Sequence, residues 1–144
     1  MIRKIFAVIC GLLAGCLLSM AFSAGLRYRF PDEFYSLDWR ILQWGDHWFL
    51  RAVVSLISTA WAGFIAGVVG RDRGRTLAII TVLPAWIIWL IAEYTALTGY
   101  FPFYDVGEIY MSLGNKISMG VIIIAMFPIA WNFGNQGEII GQEY

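Results

Sequence analysis

WFLRAVVSLISTAWAGFIAGVVG occupies positions 48 to 70, the basic turn RDRGR follows at 71 to 75, and TLAIITVLPAWIIWLIAEYTALT fills 76 to 98. Each apolar run holds a single charged residue, Arg51 or Glu93. Each also reaches the ~17 to 25 residues that a helix needs to cross a hydrocarbon core. Two more runs flank this pair, at about 5–26 and 117–134. The sequence therefore predicts an all-α, polytopic membrane protein, with four transmembrane helices in one domain covering residues 1–144.

Composition agrees. Hydrophobic residues make up 60% of the 144 positions and charged residues 14%, with a mean hydropathy of +0.70, far from the balance of a water-soluble domain. Ten Lys and Arg offset ten Asp and Glu, so net charge gives no reason to expect a nucleic-acid partner. The distribution of charge is more informative. Arg3 and Lys4 precede the first run, and Arg71, Arg73 and Arg75 crowd the turn after the second. The connections at 27–47 and 99–116 are net acidic. By the bias of cations toward the cytoplasmic side, both termini and the basic turn are expected in the cytoplasm of a bacterial inner membrane.

Leu13-Ala14-Gly15-Cys16 after Arg3 and Lys4 fits the pattern of a lipoprotein signal. Leu17 to Phe22 continue the apolar run where a mature lipoprotein turns polar, which favours an uncleaved helix.

Small residues mark the packing faces. Ala7, Gly11, Gly15 and Ser19 recur every fourth position on the first span, as do Ser55, Thr59, Gly63 and Gly67 on the second, in the manner of a glycine zipper. A second track on the same span runs through Ser58, Ala62, Ala66 and Gly70. Such faces let backbones approach where lipid supplies no hydrophobic drive for association. Spans one and two are expected to pack on each other, or one of the two tracks serves a helix from another subunit. Pro84 and Pro128 each remove a backbone donor within a span, so kinks are expected there, with the carbonyls of Ile80 and Ile124 displaced.

Outside the spans, Phe34, Leu37, Ile41 and Trp44 fall on one helical face of 27–47, which predicts a short interfacial amphipathic helix between the first two spans. Tyr100, Phe101, Phe103, Tyr104 and Tyr110 add to it from the second connection, so more than half of the chain's 24 aromatic residues gather at the outer side. They read as a cap or as a docking surface. The tail at 135–144 is polar and glycine-containing, and is expected to fray on the cytoplasmic side unless something holds it.

Glu93 is the acid inside a span, and a charge there costs about 2.5 kcal/mol or more unless it is paired or neutral. Arg51 stands at nearly the same depth, so an Arg51 to Glu93 ion pair is expected, with Lys116 as a second candidate cation. Trp86, Trp89 and Glu93 share a face that reads first as packing and second as a lipid or quinone contact. The sequence offers one histidine, His47, and neither CxxC nor HExxH, so no metal and no cofactor is expected, and no catalytic residue is assigned.

These residues point to a non-catalytic accessory subunit of a larger membrane complex, with other membrane subunits and membrane lipids as partners. Two alternatives stay open. One is an oligomeric transporter or channel component with Glu93 in its path, and the other is a quinone- or lipid-binding membrane anchor.

Overall fold

A computed structural model describes residues 1–29, 48–98, 100–101, 104–105 and 113–143. Four helices account for nearly all of them: α1 (Ile2–Arg29), α2 (Trp48–Gly70), α3 (Gly74–Thr98) and α4 (Leu113–Glu143). Each is long and apolar enough to cross a membrane. Between α3 and α4, β1 (Tyr100–Phe101) pairs antiparallel with β2 (Tyr104–Asp105) in a bridge of two residues a side. The amphipathic helix expected within 27–47 lies outside the described residues from position 30 onward, and most of the aromatic connection at 99–116 does too.

The α2 helix keeps the boundaries its sequence implies, whereas α1 and α4 run longer than their apolar cores. The polar tail, expected to fray unless something holds it, is held. Residues 135–143 continue α4 as regular helix. The reason lies in Gly137 and Gly141, whose bare α-carbons rest against the backbone of Phe64, Gly67 and Val68 on α2. A Cβ at either position would collide with a main-chain oxygen there. Close backbone approach replaces side-chain burial as the force that orders this segment.

Contacts place α2 at the centre of the bundle, touching all three other helices. Its two small tracks serve two neighbours. Gly11 and Gly15 of α1 lie on the second track: a Cβ at Gly11 would stand 2.8 Å from the Ala62 carbonyl oxygen, and one at Gly15 2.9 Å from the Ala62 Cβ. Gly63 and Gly67, on the first track, meet α4 instead, at Ala130 and Gly134. The α1 and α2 helices pack on each other through the Ala7 to Ser19 face and the second track, Ser58 to Gly70. The alternative that reserved one track for a foreign helix meets α4 of the same chain on that track.

Three ties gather at one end of the bundle. Arg3 Nε donates to the Val69 carbonyl oxygen at 2.9 Å, supplying a partner to the last turn of α2. The Glu138 carboxylate of α4 accepts from the Arg75 backbone N–H at 3.3 Å, so it caps the first turn of α3 from outside. In the turn itself Arg71 has φ 56°, a left-handed position, and its N–H reaches the Gly67 carbonyl oxygen at 3.0 Å. The start of α1, the α2–α3 turn and the end of α4 therefore share one basic end.

Both prolines sit within unbroken helices. Beside Pro128, the Trp86 indole Nε1 donates across to the Ile123 carbonyl oxygen at 3.1 Å, and its ring tilts against Phe127 with centroids 5.0 Å apart. Near Pro84, the Thr81 hydroxyl donates to the Leu77 carbonyl oxygen at 2.7 Å.

Candidate functional site

From Arg51, the inner faces of α2 carry Ser55, Ser58, Thr59 and Ala62 down the axis of the bundle. Arg51 is 2% exposed, a cation wholly inside the fold. Its guanidinium carbon lies 5.4 Å from the centroid of the Trp89 ring on α3, within range for attraction between a cation and an aromatic face. No ion pair joins Arg51 to Glu93 among the described residues, and Glu93 is half-buried on α3. Trp89, one turn nearer the basic end, occupies the place against Arg51 that the carboxylate was expected to hold. Lys116 is exposed at the start of α4, likewise without an ion pair to Glu93 among the described residues.

Below Arg51 the helices part around a cavity of 190 Å³, lined by α1, α2, α3 and one residue of α4, Met126. Gly11 and Thr81 bring α1 and α3 into contact on its basic-end side, where a Cβ on Gly11 would stand 2.8 Å from Thr81 Cγ2. Above that point Leu12, Cys16 and Ser19 of α1 face Ala85 and Trp89 of α3 across the opening. Cys16 is exposed, and Leu12, Ser19 and Trp89 are half-buried, so the cavity opens sideways between these two helices.

Hydroxyls form its floor. Thr59 donates to the Ser55 carbonyl oxygen at 2.7 Å and Thr81 to that of Leu77, each turned back on its own helix. Ser58 differs from both. It lines the same cavity and is 8% exposed, and its Oγ is buried without a hydrogen-bond partner. Leaving such a group unmatched costs about 1 to 3 kcal/mol.

Among the described residues, those that line the cavity include no Asp, Glu, His, Lys or Arg. They supply apolar surface, an indole face and the hydroxyl side chains of Ser19, Ser55, Ser58, Thr59 and Thr81. Among the described residues no group of His, Cys, Asp and Glu has the makings of a metal site. Of the two tryptophans expected to act together, Trp86 is taken up by the α3–α4 contact, while Trp89 faces the cavity and Arg51.

Sequence reading marked Ser55, Thr59 and Trp89 but not their convergence on one cavity, because that depends on where α1 and α3 diverge. It also missed the small face of α4, although Gly134, Gly137 and Gly141 show the spacing. Assigning the tail to the aqueous side hid it. No protein-family model matches this chain, and neither a curated protein nor a solved structure does.

Proposed function

We propose that the chain is a non-catalytic accessory subunit of a larger complex in a bacterial inner membrane, with both termini on the cytoplasmic side. The observation that carries this reading is the uneven burial of the bundle. Within their most apolar stretches α2 is 44% buried and α1 only 11%. Three small residues, Ala7, Gly11 and Gly15, hold α1 against the bundle, while Phe6, Ile9, Leu13, Leu17 and Met20 form an exposed row along its other side. A helix so lightly committed to its own chain is available to a neighbour. Orientation follows from Arg3, Lys4, Arg71, Arg73 and Arg75 at the basic end.

A photo-crosslinking amino acid at Leu13 or Leu17, activated in native membranes, tests the reading. The expected product is one defined protein adduct, and cells without this chain should show reduced abundance of the same partner. Lipid adducts alone, together with a monodisperse monomer in mild detergent, would overturn it.

A further inference from the structure

We propose that the basic end of the bundle holds an anionic phospholipid by its phosphate, between Arg3 and Lys4 of α1, Arg71 and Arg73 of the α2–α3 turn, and Arg75 at the start of α3. Behind this stands a patch of five cations drawn from two parts of the chain, none of which makes an ion pair among the described residues. The inference requires only that the bundle lies in a bilayer and is independent of any partner subunit.

Depth selects the kind of anion. The apolar span of α2 ends at Gly70 and that of α3 begins at Gly74, so the turn stands where hydrocarbon gives way to headgroup phosphates. The bond from Arg3 Nε to the Val69 carbonyl oxygen, 2.9 Å, brings the start of α1 to the same level. It uses one of the five N–H groups of that guanidinium. Arg3, Lys4, Arg73 and Arg75 are exposed and Arg71 is half-buried, so their charged heads are open to this layer.

An aromatic ring lies just beneath the cations. The Arg75 guanidinium carbon stands 5.7 Å from the centroid of Trp131 on α4, and Trp131 is 48% exposed. Gly134, three residues further along α4, rests against the backbone of Gly74 and Arg75, so the indole sits about one turn inside the start of α3. Phosphate above and acyl chains across an exposed indole match the two halves of a phospholipid at an interface. A soluble anion would use only the upper half.

Charge selects the headgroup. Asp72 in the turn and Glu138 and Glu143 near the end of α4 are the acids at this end, and Glu138 already accepts from the Arg75 backbone N–H. Five cations therefore face three acids, and guanidinium groups suit phosphate oxygens. A zwitterionic headgroup brings its own ammonium into the patch and gains less. Nor does the fold account for the cation at position 71. The turn is closed by the N–H groups of Arg71 and Asp72 on the carbonyl oxygens of Gly67 and Gly70, and the Arg71 φ of 56° favours glycine.

The test uses the full chain in a mild non-ionic detergent, titrated with phosphatidylglycerol or phosphatidylcholine bearing identical acyl chains. Circular dichroism reads binding as a rise in thermal midpoint, and native mass spectrometry counts the lipids retained. A saturable rise with phosphatidylglycerol is expected, small with phosphatidylcholine and fading between about 0.1 M and about 1 M salt. Each cation at an anionic surface is worth about fivefold in affinity. Arg71→Gly should therefore raise the lipid-free midpoint yet bind phosphatidylglycerol about fivefold more weakly, a split that a purely structural role does not produce. Asp72→Asn should bind it more tightly, and Lys116→Gln, at the opposite end, should bind it as before. Equal responses to the two lipids would overturn the proposal, as would undiminished binding in the double variant Arg71→Gly and Arg73→Gln. An equal rise with glycerol phosphate would overturn it in favour of a soluble anion. If the double variant fails to fold, Arg71→Gly alone decides. A chain that captures a partner at Leu13 yet does not distinguish the two lipids sinks this inference and leaves the subunit reading standing.

Discussion

Single residues in this bundle matter chiefly through what their backbones approach. Gly67 faces Gly134 so closely that a Cβ there would collide with the Gly134 carbonyl oxygen and stand 3.1 Å from the Glu138 backbone nitrogen. Main chain yields little, so Gly67→Ala should destabilise the fold by about 1 to 3 kcal/mol, as overpacking does elsewhere. Gly120 is the natural control, since a Cβ added there would meet nothing within 4 Å. There Ala should be neutral, or stabilising by up to about 1 kcal/mol from helix propensity. Thermal unfolding in detergent followed by circular dichroism compares the two, and equal shifts would refute the packing account. Arg71 gives a second residue-scale prediction. Its φ of 56° suits glycine, and an L-residue there carries about 1 to 2 kcal/mol of steric cost. Arg71→Gly should raise the melting temperature while Arg71→Lys leaves it unchanged, because the strain belongs to the backbone and not to the charge. Glycine spacing was readable in the sequence at Gly63 and Gly67; which neighbour each glycine meets was not, since a period of four marks a face without naming its partner.

At the scale of elements, the informative case is the end of α4. Hydropathy alone assigns 135–144 to water, because Asn135, Gln136, Glu138 and Gln142 outweigh Ile139 and Ile140. In the structure the segment is helix, fixed by Gly137 and Gly141 against α2 and by the Glu138 carboxylate at the start of α3. Hydropathy reports where side chains prefer to be and is blind to glycines that let two backbones touch. A chain ending at Gln136 should therefore lose several degrees in thermal midpoint and become more sensitive to detergent. A frayed tail would predict no change. Glu138→Gln isolates one part of that loss, the interaction of a carboxylate with the first turn of α3, worth about 0.3 to 1 kcal/mol. It should lower the midpoint less than the truncation does. The α3–α4 contact makes the complementary point about Trp86. Its position beside Trp89 on one face was readable, but its bond to the Ile123 carbonyl oxygen depends on how α4 lies against α3 near Pro128, which no local pattern in either span encodes.

For the whole molecule, the four long helices among the described residues follow from four apolar runs, and the antiparallel α2–α3 hairpin follows from a turn too short for any other arrangement. The interior of the bundle was less legible. Arg51 and Glu93 match in depth, yet among the described residues the cation meets the Trp89 ring, since rotation about the helix axes is set by close glycine contacts elsewhere. Those contacts also dictate one property of the entire chain. Arg3 is bonded to Val69, and Glu138 to Arg75, so the beginning of α1 and the end of α4 stand beside the same turn. Neither terminus can lie across the bundle from the other without breaking both ties and separating Gly67 from Gly134. A phosphatase reporter, active only outside the cytoplasm, should consequently stay silent when fused at either end. Inserted after Asp105, in the connection at the opposite end of the bundle, it should be active. Activity at one terminus alone would contradict the bundle geometry, whereas activity at both with silence at Asp105 would keep the geometry and reverse the orientation read from the five basic residues.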